Sequence, residues 1–203
     1  MRIGLFGGSF DPVHCGHLLL AECCWRQARL DQVEFVPTAQ QPLKPRGPVA
    51  NEADRAAMLR LAIADRPEFA LSLIEIERGG VSYTVDTLRQ LRNERPDAEL
   101  FLLMGADALA DFPTWREPAA ICELATPLVV RRAGTPPPDF AALAPFVAAE
   151  RLALIRTHEV EMPATPISSS NIRRLIAERG AWQSLVPPGV AEYIERQNLY
   201  LPR

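Results

Sequence analysis

The chain begins with an apolar run, Arg2-Ile3-Gly4-Leu5-Phe6-Gly7, that breaks into Gly7-Gly8 and leads to a segment of helical periodicity from about residue 15 to 29. A buried strand, a glycine turn and an amphipathic helix in direct succession are the first half of a β-α-β crossover. Such a unit commits the chain to a parallel sheet covered by helices. The pattern then repeats. Strands are predicted at residues 32–37, 71–77, 99–104 and 127–131, with a last one at 152–156. Helices are predicted at 51–65 (capped by Asn51), 84–95, 106–111, 118–124, 168–179 and 188–197. Residues 38–50, interrupted by Pro42, Pro45 and Pro48, read as a loop. The expected architecture is one α/β domain over residues 1–203, Rossmann-like, mostly parallel, with helices on both faces and a helical C-terminal segment over about 168–200. With strand order 3-2-1-4-5, the turns after strands one and four would flank one crevice beyond the strand ends, where such sheets bind ligands.

Charge narrows the function classes. A net charge of -3 argues against a nucleic-acid or acidic-membrane binder, so an anionic ligand must be held by a local cluster of donors. No apolar run approaches the roughly 18 residues of a membrane span, and the N-terminus lacks a signal-peptide layout, which reads as a cytoplasmic protein. The four cysteines form no C-x-x-C pair and are expected as reduced thiols, Cys23 and Cys24 in the core. Trp25 and Trp182 read as helix-packing residues, and His158 as an exposed loop residue. Lys44 is the one lysine among 22 basic residues. Either it is an accident of composition, or a compact ammonium is needed there.

The turn after the first strand reads Gly7-Gly8-Ser9-Phe10-Asp11-Pro12-Val13-His14-Cys15-Gly16-His17. Its glycines let backbone approach a phosphate, and the helix that follows offers bare N–H groups and a positive dipole end. His14 and His17, three apart, can face one ligand from a first helical turn, with Gly16 keeping that face open. A Walker A loop would need Gly-Lys-Ser/Thr, which is absent. A dehydrogenase-type site would need G-x-G-x-x-G and an acid after the second strand, where Val36-Pro37-Thr38 supplies none. Zinc would need a third ligand, and His158 is the only other histidine, so no protein metal site is expected. Two histidines that merely pack or cap the helix remain the structural alternative.

Further along, Ser168-Ser169-Ser170 opens a helix with Arg173 in its second turn, a set of hydroxyls, N–H groups and a guanidinium suited to phosphates or, more simply, an ordinary helix cap. Gly105-Ala106-Asp107 at a strand end could offer Asp107 to ribose hydroxyls, or cap the next helix. Trp115 sits in the polar stretch Pro113-Thr114-Trp115-Arg116, a poor place for a core tryptophan.

Together these segments resemble the T/H-x-G-H nucleotidyltransferase superfamily. With Ser82-Tyr83-Thr84-Val85-Asp86-Thr87, Phe112 and Trp115, and the C-terminal run from Tyr193 to Tyr200, the whole chain resembles bacterial nicotinate mononucleotide adenylyltransferases. The resemblance implies adenylyl transfer from ATP to nicotinate mononucleotide in NAD biosynthesis, by a monomer or small homo-oligomer. It implies ATP binding by Gly7, Gly8, Ser9, Phe10, His17, Gly105, Asp107, Ser168, Ser169 and Arg173, and acceptor binding by Lys44, Thr84, Trp115 and Arg116. Trp115 would stack on the pyridine, and backbone N–H groups near Thr84 and Arg116 would take the carboxylate. His14, His17, Lys44 and Arg173 would carry catalysis, and Mg²⁺ would arrive with ATP. One departure stands out: relatives often carry His-Lys where this chain has Leu43-Lys44. Other adenylyl acceptors (nicotinamide mononucleotide, phosphopantetheine) and a non-catalytic nucleotide sensor are the alternatives.

An acceptor phosphate loses its second proton at a pKa of about 6, so it is already a nucleophile at neutral pH. Catalysis by positioning and charge stabilisation is therefore expected, without a general base.

Overall fold

The computed structural model describes residues 1–42 and 47–202. Leu43, Lys44, Pro45 and Arg46, including the lone lysine, lie outside them. Six strands, β1 (Arg2–Gly8), β2 (Gln32–Pro37), β3 (Phe69–Leu71), β4 (Glu99–Gly105), β5 (Thr126–Arg132) and β6 (Val160–Met162), form one sheet in the order β3-β2-β1-β4-β5-β6. Every pairing is parallel, with Leu5 facing Glu34 on one side and Leu102 on the other. The expected order 3-2-1-4-5 holds, extended by one edge strand.

Strand alternation separates two cores. Phe6, Val33, Phe35, Phe101, Leu103, Leu128 and Val130 face one side. There they meet α1 (Cys15–Gln27), α2 (Glu52–Ile63), α8 (Ser169–Ala177) and α9 (Pro188–Arg196). Ile3, Leu5, Val36, Leu100, Leu102, Met104 and Val129 face the other. That side is covered by α3 (Ile74–Arg78), α4 (Thr84–Glu94), α5 (Ala106–Asp111), α6 (Pro118–Leu124) and α7 (Ala149–Arg156). Period-2 burial on both faces is what a doubly covered parallel strand requires. Among the described residues no helix is long and apolar enough to cross a membrane.

Two expected strands are corrected. Residues 71–77 are the end of β3 followed by α3, which buries Ile74 and Glu75 and closes at Gly79, whose N–H donates to the Glu75 carbonyl at 3.0 Å with φ 67°. The apolar alternation there served a single helical turn packed on β2. Residues 152–156 are the end of α7, which buries Ile155 and leaves Leu154 exposed, and the last strand comes later, at β6. A short apolar run does not distinguish strand from helix by period alone. Helix caps follow the sequence more closely: the Asn51 side chain accepts the Asp54 N–H at 2.8 Å and opens α2. At the end of α8 the left-handed residue is Arg179 (φ 56°), with the Gly180 N–H closing onto the Leu175 carbonyl at 2.8 Å. Trp182 is buried and Trp25 half-buried against the first core. His158 is half-buried rather than exposed, its Nδ1 3.0 Å from the Leu154 carbonyl. All four cysteines are free thiols. Cys24 and Cys122 are buried, and burial pushes the Cys122 thiol up to about 11.

Candidate active site

The turn between β1 and α1 is built around two histidines that cap each other. His14, extended at φ -145°, is the N-cap of α1. The His17 N–H donates to His14 Nδ1 and the His14 N–H donates to His17 Nδ1, both at 3.3 Å. This is a capping box made of imidazoles, and it fixes their tautomers. A ring nitrogen that accepts a backbone N–H carries a lone pair, so each ring bears its proton on Nε2. The rings stack at 3.7 Å and 20°. His14 is buried, and burial first, the nearby Arg132 second, lower its pKa to about 4. It is a neutral N–H donor at physiological pH. A Cβ on Gly16 would approach the His14 ring to 3.1 Å, so the glycine makes room for the stack.

Phe10 lies just beyond the two glycines of the turn. Its side chain is fully buried, packed against Phe6 at 5.4 Å, Phe35 at 5.6 Å and His17 at 5.1 Å. Only its backbone is left to face a nucleotide. The ring supports His17 from below, and its burial offsets a left-handed backbone (φ 46°) that a non-glycine residue adopts at a cost of about 1–2 kcal/mol. A Cβ on Gly8 would press on this same ring at 3.1 Å, whereas one on Gly7 would meet nothing within 4 Å.

Two buried residues without an assigned role in the sequence hold the turn. Asp11 Oδ2 accepts the Val49 N–H at 2.7 Å, and Oδ1 accepts the Ala50 N–H at 3.0 Å and the Tyr200 hydroxyl at 2.8 Å. Burial first, and then the Asp11 charge, push the Tyr200 phenol well up, so it stays a donor. Arg173 donates from Nη1 to the Asp11 carbonyl at 2.6 Å and lies 3.7 Å from Asp11 Oδ2. Arg55, 1% exposed, donates to the Ser9 carbonyl at 2.9 Å and the Thr38 carbonyl at 2.7 Å, pinning the turn after β1 to the end of β2. Nothing in the local sequence marks Arg55. Asp11 could have been suspected from its place in the motif.

These elements line a cavity of about 320 Å³. His14 and His17 contribute from α1, Ser168, Ser169, Ser170 and Arg173 from the start of α8, and Arg132 from the end of β5. Ser168 Oγ accepts the Asn171 N–H at 3.2 Å as a helix cap, and Ser169 Oγ donates to the Pro12 carbonyl at 2.9 Å. The first starts α8, and the second holds α8 against the turn.

A second cavity, of about 280 Å³, adjoins across Gly8–Ser9, and Gln41 borders both. Gly7, Gly105, Tyr83, Thr84, Trp115 and Arg116 are among its walls. Trp115 is half-buried, its ring 5.3 Å from Phe112, with one side left to the cavity wall. Thr84 opens α4, which has no side-chain cap. Arg116 lies over Tyr83 at 4.7 Å and pairs with Asp86 at 3.5 Å. The other motif positions are structural. Ser82 Oγ accepts the Ala39 N–H at 2.9 Å, and Thr87 Oγ1 donates to Glu75 at 2.7 Å while accepting from Arg78 at 3.0 Å. Asp107, in the first turn of α5, is exposed and lies in neither cavity wall.

Residues 5–175 match the family described as cytidylyltransferase-like. A probable nicotinate-nucleotide adenylyltransferase of Rhodopirellula baltica is 41% identical over 201 residues, covering 99% of this chain and 94% of the relative. One of Thermomicrobium roseum, of the same name, is 44% identical over 199 residues, covering 98% and 91%. Among solved structures, the Plasmodium falciparum nicotinic acid mononucleotide adenylyltransferase complexed with NaAD superposes with a TM-score of 0.74 at 17% identity, over 98% of this chain and 97% of that one. At that identity the likeness speaks to the fold. This chain belongs to the cytidylyltransferase-like family, among the relatives named nicotinate-nucleotide adenylyltransferases.

Proposed function

We propose that this protein transfers the adenylyl group of ATP to nicotinate mononucleotide, releasing pyrophosphate and forming nicotinate adenine dinucleotide. The observation that carries the reading is the pair of adjoining cavities. One is lined by imidazoles, the start of α8 and two arginines, which suits a polyphosphate. The other is lined by glycines, an aromatic face and an uncapped helix start, which suits a pyridine carboxylate. The close relatives by sequence bear the same activity in their names.

In this reading an acceptor phosphate oxygen attacks the α-phosphorus in line, and the bond to the pyrophosphate oxygen breaks, its electrons leaving with pyrophosphate. His17 donates from Nε2–H to the α-phosphate as charge shifts there, and His14, whose N–H donates to His17 Nδ1, orients that ring while donating beside it. Arg173 and Lys44 neutralise the polyphosphate. Gly105 and Asp107 serve the adenosine, and Trp115, Thr84 and Arg116 the acceptor. Among the described residues no three His, Cys, Asp or Glu side chains converge as a metal site. The residues suit a Mg²⁺ carried on nucleotide phosphates and water, where it would supply charge neutralisation to the leaving group. The enzyme would act in the cytoplasm, as a monomer or small homo-oligomer.

Pyrophosphate release with ATP and each of nicotinate mononucleotide, nicotinamide mononucleotide and phosphopantetheine tests the reading. Turnover with nicotinate mononucleotide well above the other two is the expected result. Preference for another acceptor would reassign the substrate, and nucleotide binding without turnover would make the protein a sensor.

A further inference from the structure

β5 ends in two consecutive arginines with opposite fates. Arg131 follows Val129 in the strand alternation and is clamped by two glutamates, one just before β6 and one within it: Glu159 pairs with it at 3.0 Å, and Glu161 accepts from its Nη2. Arg132 follows Leu128 and Val130 onto the α1 side of the sheet. It faces Met162 in register, and both line the phosphate cavity. Its carbonyl is held by the Thr135 hydroxyl at 2.7 Å and the Thr135 N–H at 3.1 Å, which fixes the main chain. Its guanidinium has no hydrogen bond or ion pair among the described residues.

The other donors of this cavity make that guanidinium significant. His14 is neutral. Arg173 spends Nη1 on the Asp11 carbonyl and sits beside a carboxylate that offsets its charge. The Ser169 hydroxyl is spent on the Pro12 carbonyl, and the Ser168 hydroxyl, which accepts the Asn171 N–H, offers a neutral donor and no charge. A triphosphate brings about four negative charges at neutral pH, and the described walls offer Arg132 as the cation with no counter-charge of its own. The geometry points to Arg132 as a binding residue for the polyphosphate of ATP, holding the pyrophosphate moiety through transfer. This rests on the functional reading above, and adds to it a residue that the turn and helix motifs do not contain. Arg132 also accounts for part of the low basicity of His14, so charge on the ligand is met by a permanent cation while the imidazole remains a donor.

Calorimetric titration of ATP, pyrophosphate and nicotinate mononucleotide into wild type, Arg132→Ala, Arg132→Lys and Arg131→Ala tests the assignment. Arg132→Ala should weaken ATP and pyrophosphate about ten- to a hundredfold, as loss of a charge-assisted contact does, and flatten the salt dependence of pyrophosphate binding. Nicotinate mononucleotide affinity should move less than about twofold, and the apo melting temperature should stay unchanged. Arg132→Lys should recover part of the loss, since the charge returns without the planar fork. Arg131→Ala should leave all three affinities unchanged. Unaltered ATP and pyrophosphate affinities in Arg132→Ala would overturn the assignment, as would an equal loss for the acceptor. Wild-type binding of ATP without turnover of any acceptor would sink the functional reading and leave the Arg132 comparison intact.

Discussion

Gly7 and Gly8 are neighbours at the end of β1, yet a methyl group on each should do opposite things. A Cβ on Gly7 meets no protein atom within 4 Å, and the residue does not have a positive φ, so alanine fits without strain. Replacing glycine at such a position removes unfolded-state freedom worth about 0.4–1 kcal/mol. For a chain of this size that raises Tm by roughly 1–4 °C. The same open space is the floor of the 280 Å³ cavity, where the backbone must come close to the nucleotide. A methyl there displaces the ligand by about 1 Å, enough to cost roughly a hundredfold in kcat/KM. A Cβ on Gly8 instead presses on the Phe10 ring at 3.1–3.3 Å, and that ring is wedged between Phe6, Phe35 and His17 and cannot yield. Gly8→Ala should therefore lose about 1–3 kcal/mol of stability. Differential scanning calorimetry of the apo proteins and a coupled pyrophosphate assay below Tm read both quantities. A Gly7→Ala protein more stable and fully active would refute the close approach of ligand, and a destabilised one would refute the open space.

Four other outcomes are expected. His14 has a folded pKa of about 4 against 6.5 unfolded, so between these values the unfolded chain binds the extra proton. The stability this contributes is complete above pH 6.5 and is lost as pH falls towards 4, by up to roughly 3 kcal/mol; urea midpoints should fall more steeply in wild type than in His14→Asn, and equal slopes would refute the neutral buried imidazole. His17→Ala should lower kcat about 10²–10³-fold with ATP affinity little changed, and a variant within about threefold of wild type would remove His17 from the transition state. Trp115→Ala should weaken nicotinate and nicotinamide mononucleotides alike and keep their ratio; a changed ratio at unchanged affinity would show that the indole is not the ring platform. Tyr200→Phe leaves Asp11 short of one donor, and should cost about 1–3 kcal/mol by urea denaturation while raising KM for ATP; an unchanged midpoint would mean water replaces the hydroxyl.

The sheet was legible because β1, β2, β4 and β5 are apolar runs of strand length bounded by glycine, proline or polar turns. Their alternation with helices made it parallel, while the order 3-2-1-4-5 entered as the doubly wound arrangement such chains adopt. The histidine turn and the start of α8 were legible as motifs, since glycines and short hydroxyl side chains cluster where backbone must approach a ligand or a helix must begin. The burial of the Phe10 ring was not legible, because its neighbours are glycines and polar residues, while an aromatic ring gains more from the core than from solvent. β3 and α3 share one apolar stretch, and only packing against β2 and α4 decides where strand ends and helix begins. Arg55, Arg132 and Tyr200 could not be read locally. Arg55 and Tyr200 owe their roles to partners far along the chain, Ser9 and Thr38 for Arg55 and Asp11 for Tyr200, and Arg132 stands out only through the cavity wall it shares with α1 and α8.

Asp11 shows why the far partners matter to the site. A carboxylate 2% exposed is costly to bury unless its lone pairs are met. Its donors come from residues 49 and 50 and from Tyr200, and Arg173 on α8 is its ion-pair partner. None of these segments can satisfy it alone, so the turn, the chain leading into α2, the start of α8 and the C-terminal residues must close together. The 320 Å³ cavity lies among the same segments, and Arg173, one of its walls, is held by the Asp11 contact. The cavity geometry is therefore set by the same cooperative closure that stabilises this face of the fold. Tyr200, which lines neither cavity, takes part in that closure through the carboxylate it completes.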